Sequence, residues 1–326
     1  MLASWYDRQG PARDVLRVGE LPDPTPGPGE VRVAVRLSGV NPGDTKKRRG
    51  WLGSEMPFRR VIPHSDAAGV VDAVGEGVDR SRIGQRVWVY NAQSYRAFGT
   101  AAQYTVLPEH LAVPLPDHVS DEVGASLGIP GITAHRALFA DGPVDGRTVL
   151  VHGVLGGVGS LAAQLARHAG ATVVGTVTRT RDLDLVDPAT VQHAVALDDP
   201  DPVKAIRAGA PDGVQRIIEV SLSDNADLDV AVIADDGVIA AYGTRNDRTE
   251  LPFWPLLFAN VTVRLFGSDD FPAAAKRAAA RELTAAAAAG AVKVHVGEVF
   301  GLDEIAAAHE RVDAGGRGRV LVTVNR

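Results

Sequence analysis

Residues 148 to 170 read TVLVHGVLGGVGSLAAQLARHAG. Thr148 to His152 form a short apolar run, the glycines Gly153, Gly156, Gly157 and Gly159 follow at once, and Leu161 and Leu165 then repeat on one face of a helix. A strand, a glycine turn and a helix in that order are the context a dinucleotide fingerprint requires. Gly153 permits the tight turn, Gly156 and Gly157 let backbone N–H groups approach a pyrophosphate, and Gly159 lets the helix pack closely on the strand. The helix N-terminus then stabilises the anion. A plain connection from strand to helix is the rival reading.

Outward from this turn, β-like runs alternate with helix-like segments, which signals a parallel α/β sheet. The strands fall at Val149 to His152, Thr172 to Val177, Val191 to Leu197, Arg216 to Val220, Val238 to Tyr242 and Val261 to Phe266, enough for a complete doubly wound sheet. Asp121 to Leu127 and Thr133 to Phe139 read as helices before it. The opening hundred residues differ in texture: Val31, Val33, Val35 and Leu37 alternate as one apolar face of a strand, and Pro22, Pro24, Pro26 and Pro28 mark an extended connection. After Gly267, the alanine-dense Ala273 to Ala289 is a strong helix signal stopped by Gly290. A further helix begins after Asp303 as N-cap, and the chain closes on the strand Val320 to Val324.

The end of the second strand decides which nicotinamide cofactor fits. An acidic residue there would accept hydrogen bonds from the ribose hydroxyls, yet Ser160 to Arg181 hold no Asp or Glu. Thr178, Arg179 and Arg181 stand there, and guanidinium groups bind a 2′-phosphate in a bidentate fork. NADPH is therefore favoured over NADH, with a solvated loop as the alternative.

The 326 residues are 45% hydrophobic and 23% charged, a composition that suits a soluble globular chain long enough for two domains. No apolar run approaches a membrane span, and Met1 to Gly10 lacks the apolar core of a secretory signal, so a cytoplasmic location is expected. A net charge of −6 gives no general attraction to polyanions, and the run Lys46 to Arg49 reads as a solvated face. There is no cysteine. That excludes disulfides, thiolate nucleophiles and every zinc site that relies on thiolates.

The glycine turn, NPGDTKKRRG at Asn41 to Gly50, PHSDAAGVV at Pro63 to Val71, PGITAHRAL at Pro130 to Leu138 and GRGRVLVTV at Gly316 to Val324 together resemble the medium-chain dehydrogenase/reductase superfamily. Within it the sequence is most similar to the zinc-free NADPH:quinone oxidoreductase, zeta-crystallin-like branch, over nearly the whole chain. The resemblance implies a Rossmann domain at 123–267 and a β-rich GroES-like catalytic domain at 1–122, completed by a C-terminal segment at 268–326. It also implies an active-site cleft between them and a homodimer paired through the nucleotide-binding domains. Zinc-dependent members carry Gly-His-Glu where His64, Ser65 and Asp66 stand here; no metal is expected, Asp66 should bond to backbone or arginine groups, and His64 replaces a family glycine.

By the same resemblance Asn41 lies beside the nicotinamide and Asp44 near the cleft, although Asn-Pro-Gly-Asp is turn chemistry in any protein. Trp51 would be an aromatic wall for the substrate or a core residue. Thr133, Leu155 and Val158 join the glycines as cofactor contacts, as do Tyr242, Gly243, Leu265, Phe266 and Gly267 at strand ends and Arg319 toward the adenylate phosphate. Leu155 leaves the backbone to make the phosphate contact, since relatives often have a small hydroxyl there. Without a Lewis acid, conjugated acceptors that take hydride readily become the expected substrates. Quinone reduction leads; reduction of alkenals, enones or enoyl thioesters and a non-catalytic NADPH-binding or sensor role are the alternatives.

Overall fold

The structure is a computed structural model that describes residues 1–324. Two compact units result: Met1–Pro130 together with the chain from Ala280 onward, and Gly131–Ala279. The divisions fall at 130/131 and 279/280, inside helices, where the resemblance implies 122/123 and 267/268. The last two residues of the 268–326 segment lie outside the described residues.

The first unit opens with a two-stranded ribbon, β1 (Leu2–Trp5) and β2 (Arg17–Glu20), flanking the short α1 (Ala12–Val15). The long β3 (Glu30–Val40) follows the irregular proline-rich stretch and alternates as expected, with Val31, Val33 and Val35 fully buried. Helix α2 (Pro42–Arg49) comes next, then β4 (Asp66–Val74), β5 (Arg86–Val89), β6 (Tyr104–Pro108), β7 (Ala112–Pro114) and α3 (Asp121–Gly124). α4 (Ile129–Phe139) spans the first division.

The second unit is one parallel sheet: β8 (Thr148–Val151), β9 (Thr172–Val177), β10 (His193–Ala196), β11 (Val214–Glu219), β12 (Ile233–Ala241) and β13 (Thr262–Leu265). Their order is β10-β9-β8-β11-β12-β13, so the chain leaves the centre in one direction, returns and continues in the other. This is the doubly wound arrangement, with its switch point between β8 and β11. α5 (Gly157–His168), α6 (Pro202–Gly209), α7 (Leu222–Val232) and α8 (Phe253–Phe258) join the strands, and α9 (Ala273–Ala288) crosses the second division. Leu161 and Leu165 are both buried; each contributes about 1.5–3 kcal/mol of hydrophobic stabilisation.

The tail adds β14 (Val296–Gly301), α10 (Ile305–Asp313) and β15 (Arg319–Thr323). β15 pairs antiparallel with β3, from Val320 opposite Val40 to Thr323 opposite Leu37, and β14 lies parallel outside it. The tail thus completes the seven-stranded sheet of the first unit. β14 gives little signal in the sequence because its side chains are largely exposed and lack an apolar stripe.

Candidate active site

The fingerprint glycines meet three different demands. Gly153 is left-handed at φ +66, where a side chain would be strained. Its N–H donates to Thr176 Oγ1 at 3.3 Å, and its carbonyl accepts from Gly156 N at 2.9 Å, which closes the turn. Gly156 is the N-cap of α5 and has no side chain with which to occupy the first N–H groups of that helix. At Gly159 a Cβ would stand 2.2 Å from Gly153 O, so only glycine allows helix and turn this approach. Leu155 and Val158 are half-buried and, being apolar, offer only backbone groups to an anion. These features fit a pyrophosphate.

Directly behind the turn lies a buried ionisable cluster. His152 Nε2 is 2.9 Å from Asp229 Oδ1 and 3.5 Å from Glu219 Oε2, and its Nδ1 is 2.9 Å from Thr176 Oγ1, the acceptor that holds Gly153. Asn225 Nδ2 donates to both Glu219 oxygens at 3.1 Å. Burial pushes the Glu219 carboxyl up to about 7, against the opposing His152 charge and with the help of Asp229. Burial alone would lower His152, but its bond to Asp229 and the two carboxylates outweigh that and raise it.

Both groups bind protons more tightly in the folded chain, so both contributions to stability are present in mild acid and fade with rising pH. For Glu219 the loss runs from its ordinary range near 4.5 to about 7. Glu219→Gln, which cannot ionise, should therefore gain roughly 1–3 kcal/mol relative to the native chain between pH 5 and pH 8. Paired thermal melts at the two pH values measure this; an offset independent of pH would refute it.

At the end of β9, Thr178, Arg179 and Arg181 are all exposed, as a 2′-phosphate site requires. Thr180 N and Oγ1 both donate to Asp198 Oδ1 at 2.7 Å. The sequence reading missed Asp198 because it looked for an acid along β9, whereas this one arrives from the end of β10. Of the strand-end residues, Tyr242 N donates to Glu219 O at 3.0 Å and Leu222 N to Gly243 O at 3.1 Å, where Gly243 passes too close to Val220 O for a side chain. Leu265 and Gly267 are exposed, Phe266 is half-buried, and Thr133 is buried in α4.

In the first unit, Asn41 is the buried N-cap of α2, and Asn-Pro-Gly-Asp opens a helix instead of making a free turn. Asp44 Oδ2 accepts from Asn41 N at 2.8 Å, the carboxylate half of a capping box, while Asp44 N donates to the Asn41 backbone carbonyl at 3.0 Å. Asn41 Nδ2 donates to Asp66 Oδ2 at 2.7 Å, and Arg319 Nη1 donates to Asn41 Oδ1 at 2.9 Å. Asp66 Oδ1 accepts from Ile129 N at 2.8 Å, and Arg319 Nη2 lies 3.6 Å from Asp66 Oδ2. Asp66 thus bonds to backbone and arginine as expected. Arg319 is buried in this network, a use different from the adenylate contact anticipated for it. Burial and the Asp66 charge push the Asp44 carboxyl up to about 7.

The solvated reading of Lys46 to Arg49 fails at Arg48, which is buried and donates to Asp313 Oδ2 at 2.8 Å. Trp51 is no core residue: it is 47% exposed, with Lys46 Nζ 4.5 Å from its ring centroid.

Arg48 also starts a buried chain whose direction follows from donor arithmetic. Arg48 Nε can only donate, so His309 Nδ1 accepts it at 3.3 Å and His309 carries its proton on Nε2. That proton goes to His64 Nε2 at 2.9 Å, leaving His64 Nδ1 to donate to Ser38 Oγ at 2.8 Å. Ser38 then donates to Thr100 Oγ1 at 2.7 Å, and Thr100 to Asp66 O at 2.8 Å. Burial, together with the Arg319 charge, drives His64 down to about 3, so it stays neutral; His309 is lowered by the same burial and by its neighbours. His64 sits at φ +75, the conformation a glycine would adopt without strain.

A doubly wound sheet with a glycine fingerprint and a separate β-rich unit completed by the tail define a dinucleotide-dependent oxidoreductase. Residues 27–117 match the alcohol dehydrogenase GroES-like domain family, and residues 157–280 match the family described as zinc-binding dehydrogenase. The chain is 31% identical to the quinone oxidoreductase of Rattus norvegicus over 92% of its own length and 90% of the relative's. With the human quinone oxidoreductase it shares 29% over 95% and 94%. The solved structure of a mycobacterial quinone oxidoreductase superposes with a TM-score of 0.85 at 29% identity, covering 99% of each chain. A mycobacterial structure solved in complex with NADPH gives 0.83 at 28%, again over 99% of each. The chain belongs to the medium-chain dehydrogenase/reductase superfamily, in its quinone oxidoreductase branch. No helix among the described residues is long and apolar enough to cross a membrane.

Proposed function

We propose that this protein is a cytoplasmic, homodimeric NADPH-dependent reductase of quinones that works without zinc. The observation that carries the zinc-free reading is the donor set around His64. Both its ring nitrogens are committed, to Ser38 and to His309, and the chain has no cysteine to complete a thiolate site. Without a Lewis acid to polarise a simple ketone, a conjugated acceptor is the suitable substrate.

A bound nicotinamide supplies the reducing equivalents, and the chain's own residues hold and orient it. The backbone from Gly153 to Gly159 and the start of α5 receive the pyrophosphate, and Thr178, Arg179 and Arg181 take the 2′-phosphate. Asn41 is fixed by bonds to Asp66 and Arg319, which leaves one Nδ2 hydrogen and one Oδ1 lone pair for a ligand. Asp44, with Oδ2 accepting from Asn41 N and its carboxyl raised to about 7, is partly protonated near neutral pH, with the proton on Oδ1. It is the group we assign to supply that proton to the reduced acceptor. Trp51 presents an exposed aromatic face for the quinone. Homodimer formation through the nucleotide-binding unit is supported by the open edge of β13 and the exposed Trp254 and Phe258 of α8, 65% and 76% accessible.

Replacing Arg179 and Arg181 together by glutamine should weaken NADPH binding at least tenfold, since a charged hydrogen bond is worth about 1.5–3 kcal/mol, and leave NADH binding unchanged. Equal loss for both cofactors would remove the 2′-phosphate role. The substrate class is tested with NADPH and equal concentrations of a 1,4-quinone, an alkenal and a crotonyl thioester. Fastest turnover of the quinone supports the proposal; preference for the alkenal or thioester moves the assignment to C=C reduction. NADPH binding with no turnover of any acceptor makes the protein a binder or sensor.

A further inference from the structure

We propose that Asp198 limits the preference for NADPH by placing a fixed negative charge beside the ribose-reading end of β9, opposed to Arg179 and Arg181. The inference rests on the reading of that strand end as the ribose site. β9 and β10 run parallel with Ala196 opposite Val177, and Leu197 N donates to Val177 O at 2.8 Å. Asp198 therefore leaves the sheet level with Arg179, at the same carboxyl edge where ribose hydroxyls or a 2′-phosphate are read.

The carboxylate is fixed there. Oδ1 accepts from both Thr180 N and Thr180 Oγ1 at 2.7 Å, and these bonds, with the nearby Arg179 charge, hold the exposed carboxyl below its usual range. It is ionised wherever the protein is folded near neutral pH. Two consequences have the same sign. A phosphate at this edge meets repulsion that offsets part of the arginine attraction. A ribose carrying a free 2′-hydroxyl instead finds a carboxylate oxygen able to accept its hydrogen bond. Asp198 also occupies both Thr180 donors, which an incoming phosphate would otherwise use.

A loop-holding role is the competing explanation, and charge separates the two. In Asp198→Asn the amide oxygen can still accept from Thr180, while the negative charge is gone. Binding of 2′,5′-ADP and of 5′-AMP is measured by calorimetry for the native protein and for D198N, at low and high salt. The proposal predicts that D198N binds 2′,5′-ADP about three- to tenfold more tightly at low salt, binds 5′-AMP no better, and loses part of its gain at high salt. An unchanged ratio between the two ligands, or equal weakening of both, overturns it. The native protein tests the parent reading separately. If neither it nor D198N binds 2′,5′-ADP better than 5′-AMP, the arginine site fails, and if it binds neither ligand, the strand end is no ribose site and both readings fall.

Discussion

Gly159→Ala is expected to weaken nicotinamide cofactor binding more than a hundredfold. The added Cβ would stand 2.2 Å from Gly153 O and 2.8 Å from Gly153 C, with His152 O at 3.1 Å. All three are backbone atoms that no rotamer change can move aside. α5 must tilt off β8, and the N–H groups that face the pyrophosphate move with it; overpacking of this kind typically costs about 1–3 kcal/mol in stability alone. Gly153→Ala provides the graded comparison. Its nearest neighbour would be Val220 Cγ1 at 3.6 Å, so the main penalty is the left-handed backbone at φ +66, about 1–2 kcal/mol. Cofactor titrations with parallel circular dichroism should rank G159A well below G153A. The reverse order would mean that the turn does not hold the dinucleotide as described.

Asp66→Ala should destabilise the first unit by about 3–5 kcal/mol, the cost of leaving one member of a buried ion pair without the other. Arg319 would keep its bonds to Val40 O and Asn41 Oδ1 but lose the only carboxylate within salt-bridge distance of it among the described residues. The backbone N–H of Ile129 and the Asn41 amide would lose their acceptor too. Crowding closes the site to rearrangement, because Gly39 and Gly128 already approach Arg319 and Asp66 as closely as a missing Cβ allows. Adding Arg319→Met to Asp66→Ala removes the stranded charge and should recover part of the loss in denaturant unfolding. A double variant no more stable than D66A would show that the charge pair is not the source of the cost.

Local signals in the sequence carried most of the fold. The glycine turn was legible because Gly153 and Gly159 answer to atoms a few residues away, and the alternation of Val31, Val33 and Val35 because one sheet face is dry. The joining of β15 to β3 was not legible from texture, since nothing in either strand names its partner; the family resemblance supplied it. Features that depend on distant contacts went astray. Arg48 sits in a run of four basic residues yet is buried, because Asp313 and Gly10 from remote elements receive its guanidinium. Arg319, expected to reach toward the adenylate phosphate, is instead buried as Asp66's counter-ion. Asp198 was invisible to a search along β9 alone. Asp66 itself was read correctly, since an acid at the start of an apolar strand must find backbone or cationic partners.

Loss of reduced-nicotinamide absorbance with a 1,4-quinone, followed with NADPH or NADH and with or without a zinc chelator, distinguishes a zinc-free NADPH-dependent reductase from its rivals. A zinc-free NADPH-dependent quinone reductase gives quinone-dependent oxidation that is faster with NADPH at subsaturating cofactor and unchanged by the chelator. Activity abolished by the chelator and restored by zinc, or a clear preference for NADH, would contradict that assignment.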